Sequence, residues 1–163
     1  MSDITIRDVQ EKDNKDLIDL VHQTLAEFGA EKGDGFAMDD DELLDMHASY
    51  QLPGMHYFVI EKQGKIYGGA GVAPLDGDNE NSYCELRKMY FSPALRGDGL
   101  GRVMIDKCIE KAKELGYKGM YLETINAMKI AQKLYLSRGF EYLEQRMGNT
   151  GHHACGVFML KQL

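Results

Sequence analysis

The stretch SPALRGDGLGRVMID, residues 92–106, constrains this chain more than any other. Before it, CELRKMYFS is rich in β-formers. After it, Leu100, Val103, Met104, Cys108, Ile109, Ala112 and Leu115 recur at helical spacing, with Gly116 placed as a cap. Between strand and helix stand Gly97, Gly99 and Gly101, although glycine weakens a helix start. A strand that enters a helix through such a turn aims the helix's first, unpartnered N–H groups at the turn, with the positive end of the dipole behind them. That arrangement binds anions, phosphate best, and residues without a Cβ let the backbone approach the oxygens. Arg96 and Arg102 add positive charge. The loop is therefore expected to cradle a diphosphate. The Walker pattern GxxxxGK[ST] is absent, and the dinucleotide pattern GxGxxG fails because Arg102 stands where its third glycine belongs. The pattern present is R-x-x-G-x-G, from position 96 to 101.

The rest of the chain supplies the frame for that turn. Ile4-Thr5-Ile6 alternates as a short strand. Leu17, Leu20, Val21, Leu25 and Phe28 define a helix that Gly29 can end. A glycine-rich loop over 29–35 leads to a shorter helix near Leu43 to Ala48, and Pro53-Gly54 breaks the chain again. HYFVIEKQGKIYGGAGVAPL holds two β-rich runs about Gln63-Gly64, which predicts a hairpin, and Gly68-Gly69-Ala70-Gly71 predicts a bulge or a close backbone approach. A loop over 76–81 precedes the CELRKMYFS strand. Met120-Tyr121-Leu122-Glu123-Thr124 is a further strand. Ala127, Ala131, Leu134 and Tyr135 mark a helix that ends at Gly139, and residues 140–146 and 156–160 read as two last strands. The order is βααβββαβαββ, antiparallel hairpins first and then a βαβ crossover. It predicts an α/β fold with a mixed central sheet flanked by helices. No repeat, low-complexity segment or linker divides the chain, so residues 1–163 are expected to form one domain.

Composition narrows the function. The hydrophobic fraction of 44% and charged fraction of 28% are those of a soluble globular protein. No apolar run approaches the ~20 residues that span a bilayer, and the polar start MSDITIRDVQEKDN does not read as a signal peptide. Cys84, Cys108 and Cys155 form no CxxC pair, so reduced thiols and a cytoplasmic location are expected. The net charge of −7 counts against a nucleic-acid partner. The run Asp39-Asp40-Asp41-Glu42 can draw a cationic substrate, or serve the first turn of the helix before Leu43-Leu44, which is the simpler reading.

R-x-x-G-x-G after a strand and before an amphipathic helix resembles the acetyl-CoA signature of the GNAT superfamily of N-acetyltransferases. Downstream, LETINAMKIAQKLYLSRGF resembles that superfamily's second signature, a strand and then a helix ending in L-Y-x-x-x-G-F, here Leu134, Tyr135, Gly139 and Phe140. The element order also matches, so the resemblance covers essentially the whole chain. It implies transfer of the acetyl group of acetyl-CoA to a primary amine of a small molecule or peptide, by direct attack in a ternary complex and without a metal. In the superfamily the fourth strand's backbone pairs with the pantetheine arm like an added strand; the matching positions are Met89, Tyr90 and Phe91. The pyrophosphate loop corresponds to Arg96, Gly97, Asp98, Gly99, Leu100 and Gly101, with Arg102 just inside the helix. Many members carry an asparagine shortly after the fifth strand. Met128 holds that position here, and the nearby Asn126, out of register, is the candidate contact in its place.

Tyr135 matches the tyrosine often assigned to protonate the departing thiolate. A phenol pKa near ~10 lies close enough to a thiol's for that transfer. Glu85, six residues before Phe91, has a spacing similar to the catalytic glutamate of the histone-acetylating branch and is the candidate general base. Glu123 and a water chain are its alternatives. Strand period places Glu85, Arg87, Met89 and Phe91 on one face. A non-catalytic acyl-CoA-binding domain on the same fold is the rival reading, against which Tyr135 and Glu85 together favour the enzyme. His152, His153 and Cys155 lack the spaced partners of a metal site, and the segment GNTGHHACGV is expected to line the acceptor end. The acceptor itself is not legible. Dimers are common in the superfamily, so a homodimer is open, with no interface visible in the sequence.

Overall fold

The computed structural model describes residues 3–30, 33, 35 and 40–163. Asp39 and residues 31, 32 and 34 of the glycine-rich loop lie outside the described residues. Strands are β1 (Ile4–Asp8), β2 (His56–Lys62), β3 (Lys65–Pro74), β4 (Tyr83–Phe91), β5 (Gly119–Thr124), β6 (Glu141–Leu143) and β7 (Val157–Gln162). Helices are α1 (Asn14–Glu27), α2 (Met46–Ser49), α3 (Leu100–Glu114) and α4 (Lys129–Ser137). The expected order holds. Its differences are local: the second helix is a 3-10 turn over Asp41–Asp45 followed by the single turn of α2, and β6 stops at Leu143, short of Arg146.

The sheet runs β1-β2-β3-β4-β5-β7-β6. Its first four strands are antiparallel, β4 and β5 are parallel across the α3 crossover, and β7 returns antiparallel between β5 and β6. Two apolar cores lie on opposite faces. Met104, Ile105, Cys108 and Ala112 of α3 pack with Phe58, Ile60, Cys84 and Leu86. Leu17, Val21 and Leu25 of α1 pack with Met46, Tyr57 and Val59 on the other face. The alternation of Tyr57, Phe58, Val59 and Ile60 between the cores follows from the two-residue strand period. Both faces are thus covered, as a parallel crossover requires. Among the described residues no helix is long and apolar enough to cross a membrane, and all three cysteines are buried free thiols.

Candidate active site

The site begins with a defect in β4. Lys88 has φ +49, and the register slips there: Gly71 pairs with Arg87 and Gly69 with Tyr90, so Ala70 alone faces Lys88 and Met89. This is a β-bulge, which bends the strand and increases its twist. The glycine tract opposite makes it workable. The Tyr57 ring lies against Gly69 and Gly71, where a Cβ would come within 2.6 and 2.4 Å of it. From there the Tyr57 hydroxyl donates to the Lys88 carbonyl at 2.7 Å. The bulge also corrects the expectation that Glu85, Arg87, Met89 and Phe91 share a face. Met89 and Phe91 pack into the α3 core, as do Cys84 and Leu86, whereas Glu85 and Arg87 alternate with the latter pair and point to the α1 side. The extra residue at the bulge exchanges the two faces.

Beyond Glu85, β4 and β5 part. Their pairing covers only Tyr83, Cys84 and Glu85 against Gly119, Met120 and Tyr121. Leu86 to Tyr90 and Leu122 to Ile125 then line facing walls of an inner cavity of about 50 Å³. A groove of about 600 Å³ runs outward along Met89, Tyr90 and Phe91 to Arg96, Gly97, Gly99, Leu100 and Gly101. Gly97 and Gly99 have φ +91 and +74, with open space where a Cβ would stand. Glycine is there required by the left-handed backbone as well as by access. No backbone acceptor is found among the described residues for the N–H groups of Gly97, Gly99, Leu100 and Gly101. They are the free donors of a helix start, beside the positive pole of α3. Arg96 turns back across the groove: its guanidinium donates to the Phe91 carbonyl at 2.9 and 3.2 Å, pairs with Glu27 and lies over the Phe28 ring. Asp98, Arg102 and Asn126 are exposed and do not line the groove. The Asn126 Oδ1 instead accepts from the Lys129 Nζ at 2.5 Å, and Met128 is the neighbour that faces both groove and cavity.

Tyr135 joins the two spaces. It is 6% exposed and lines both, and burial pushes its phenol well above the ordinary value, so it keeps its proton. Glu85 lies in the inner cavity. Burial raises its pKa, against the opposing pull of Arg87, whose Nε donates to Oε1 at 2.6 Å. Glu123 also lines this cavity, but its carboxylate is taken: it accepts from Tyr121 at 2.8 Å and Thr150 at 2.9 Å and pairs with Arg146 at 3.3 Å. Cys155 completes the wall, its thiol pushed up to about 12 by burial.

Around the cavity runs a chain of buried charges that sequence reasoning missed. The Lys88 side chain, 1% exposed, donates to Asp40 at 2.7 Å and to Glu42. Glu42 also accepts from Arg87 at 3.1 Å and from the Tyr50 hydroxyl at 2.9 Å. Asp40 accepts from His152 at 2.7 and 2.8 Å, and the other nitrogen of that ring stands 3.9 Å from Glu85. Burial opposes the ionisation of Asp40 and Glu42, but their cationic partners win and hold both carboxyls below the ordinary value. The acidic run does serve a helix start, with Asp41 and Glu42 in the first turn of the 3-10 helix, but that is not all it does. Asp40 and Glu42 are bound to internal cations, and only Asp41 of the described part is exposed. The available signal was Arg87-Lys88: adjacent cations in a strand covered on both faces require a buried counter-charge. Of the segment GNTGHHACGV, His152 and Cys155 line the inner cavity. Among the described residues no group of three or more His, Cys, Asp or Glu can hold a metal.

Comparison with known proteins agrees with this geometry. A model described as Acetyltransferase (GNAT) family matches residues 20–140. Over 152 residues the chain is 41% identical to Uncharacterized N-acetyltransferase YjgM of Escherichia coli (strain K12), covering 93% of this chain and 90% of that protein. It superposes on an acetyltransferase of the GNAT family from Staphylococcus aureus Mu50 with a TM-score of 0.80 at 22% identity, over 98% of each chain. It superposes on yncA from Salmonella typhimurium, solved with its cofactor acetyl-CoA, with a TM-score of 0.77 at 23% identity, over 99% of this chain and 94% of that one. The two structures bear on the fold, and the matched family model together with the 41% identical relative bears on kinship: this chain is an acyltransferase of the GNAT family.

Proposed function

We propose that the protein moves the acetyl group of acetyl-CoA to a primary amine, with Tyr135 as general acid and Glu85 in the acceptor site. The observation that carries this reading is the junction at Tyr135 of an open apolar groove and a small polar cavity. Two ligands can then be held at once and meet at one phenol, which suits direct transfer in a ternary complex.

The groove residues fit acetyl-CoA. The free N–H groups of Gly97, Gly99, Leu100 and Gly101 suit the diphosphate. The stretch Met89, Tyr90 and Phe91, past the point where β5 stops pairing with β4, suits the amide-bearing pantetheine arm. Arg96 leaves the Phe91 carbonyl to admit that arm and turns its charge to the phosphates. Asp98, Arg102 and Asn126 belong to the rim. Acetyl-CoA supplies an acetyl group activated as a thioester. Tyr135, kept protonated by burial, gives its proton to the departing sulfur. Glu85 offers its Oε2 to the incoming nitrogen while Arg87 holds Oε1. The cavity of about 50 Å³ admits only the slender amine end of an acceptor, whose remainder stays outside.

Two measurements test this. Calorimetry with acetyl-CoA should give a saturable heat. Thiol release should then appear with at least one of spermidine, lysine amide, a neutral amino-acid amide or glutamate, with intersecting initial-rate lines when both substrates are varied. No heat at millimolar acetyl-CoA sinks the reading of the groove, and parallel lines sink direct transfer.

A further inference from the structure

The 3.9 Å gap between His152 and Glu85 is the least explained feature of the cavity. It is too long for a hydrogen bond. Yet a nitrogen about 2.8 Å from both ring and carboxylate would see them about 90° apart, an angle that two N–H bonds of one amine can serve. The other side of the His152 ring is fixed. Its Nε2 meets both oxygens of Asp40, at 2.8 and 2.7 Å, and an ionised carboxylate only accepts. Nε2 therefore carries a proton, and in the neutral ring Nδ1, the atom facing Glu85, holds the free lone pair. The histidine cannot drift from this pose. Its backbone N–H donates to Thr150 at 3.2 Å, and its carbonyl accepts from Arg146 at 2.9 Å.

We propose that His152 Nδ1, oriented by Asp40, receives the proton of the acceptor's ammonium group while Glu85 Oε2 grips the same nitrogen from across the gap. Asp40 is a positioning residue, acting only through the ring. The inference rests on the transfer reading above and names the base within it. The step balances: one N–H bond of the ammonium breaks, its proton bonds to Nδ1, and the nitrogen keeps the electron pair it needs to attack. As the new N–C bond forms, the nitrogen sheds a second proton, which restores the one that Tyr135 gives to sulfur. The proton on His152 goes to solvent between turnovers.

The surrounding charges suit the task. Facing His152 are Asp40 from the segment before the 3-10 turn, Glu85, Lys88 and Tyr90 from β4, Glu123 from β5, and Arg146 and Cys155 from the β6–β7 connection. Burial lowers the pKa of His152, but Asp40 and Glu85 outweigh it and raise the net value, with Lys88 opposing. The Nδ1 of a neutral ring held by Asp40 faces the gap with a free lone pair, whereas Glu85 is already engaged by Arg87 through Oε1.

Nitrogen-detected NMR of the labelled protein with CoA bound reads this without turnover. His152 is expected as the Nε2–H tautomer at high pH, titrating above the ordinary ~6.5. Asp40→Asn should move that titration down, and move the acidic limb of kcat/KM for the fastest panel amine down with it. His152→Gln should bind acetyl-CoA as the parent does, lose kcat/KM by ~10²-fold at neutral pH, and lose the limb. His152→Ala should regain rate on adding imidazole. A proton found on Nδ1 in the neutral ring overturns the assignment. So does a pH limb that survives in His152→Gln or stays in place in Asp40→Asn. Should His152→Gln fail to fold, the tautomer and Asp40→Asn decide alone. Loss of acetyl-CoA binding by the parent protein would instead fell the transfer reading and leave the tautomer standing.

Discussion

Replacing Lys88 by methionine keeps an unbranched side chain only one atom shorter and removes its charge from a place where the side chain is 1% exposed. The ammonium is the shared partner of Asp40, at 2.7 Å, and of Glu42. Removing one partner of a buried pair costs about 3–5 kcal/mol because the other charge is left without compensation. Neither carboxylate is orphaned here. Asp40 keeps His152, and Glu42 keeps Arg87 at 3.1 Å and the Tyr50 hydroxyl at 2.9 Å. The low end, about 3 kcal/mol, is therefore expected, which for a chain of this size lowers Tm by about 6–12 °C. The sign with pH follows from the carboxyls. Both have folded pKa values below the ordinary one, in part through Lys88. Their contribution is fully present above about pH 4 and is lost as pH falls through the folded values. In Lys88→Met those values move up, so the difference between variant and parent is full at pH 7 and shrinks below about pH 4. Urea unfolding of both proteins at pH 7 and in acid measures it. A difference under 1 kcal/mol at pH 7, or one that does not shrink in acid, would refute the placement of Lys88 as the shared buried cation.

Tyr135→Phe keeps the ring and its packing, so acetyl-CoA should bind as before while kcat falls by ~10²-fold; an unchanged kcat where chemistry limits the rate would make Tyr135 a packing residue only. Gly99→Asp sets a carboxylate beside the free N–H groups of the turn. It should erase the thermal stabilisation by CoA, about 2.7 kcal/mol at a hundredfold excess over Kd, and a retained shift would move the diphosphate elsewhere. Gly71→Ala drives a Cβ to 2.4 Å from the Tyr57 ring and 2.7 Å from the His56 carbonyl. It should cost about 1–3 kcal/mol or more by overpacking, and calorimetry showing no loss would mean that the glycine tract does not make room for the ring.

What was legible in the sequence is what the chain decides locally. The hairpin turn at Gln63-Gly64, with φ of 51 and 79, and the helix stops at Gly29, Gly116 and Gly139, with φ of 82, 89 and 89, are written in residues that tolerate a left-handed backbone. The left-handed turn before α3 was legible for the same reason, with φ of 91 and 74 at Gly97 and Gly99. A turn shaped to take phosphate is written in closely spaced glycines before a helix, and Gly97, Gly99 and Gly101 can be seen without knowing the fold. The glycine tract of β3 announced a bulge or a close approach, but not that the extra residue falls on β4, because Lys88 carries a positive φ with nothing in its side chain to announce it. Strand alternation then put Glu85 and Met89 on one face. The buried charge cluster beside the cavity was illegible for a different reason. Lys88 and Asp40 are 48 residues apart, and Asp40 and His152 are 112 apart. Side chains that meet across such distances have no spacing rule, and each is ordinary in its own segment. The glycine turn is made locally, whereas the buried charge cluster is made only when β4, the segment before α2 and the β6–β7 connection close on one another. On the proposed reading, a chain can therefore keep the first half and exchange its acceptor by altering a few distant charged positions, here Glu85, Arg87 and His152 on the cavity wall with Asp40 and Glu42 behind them.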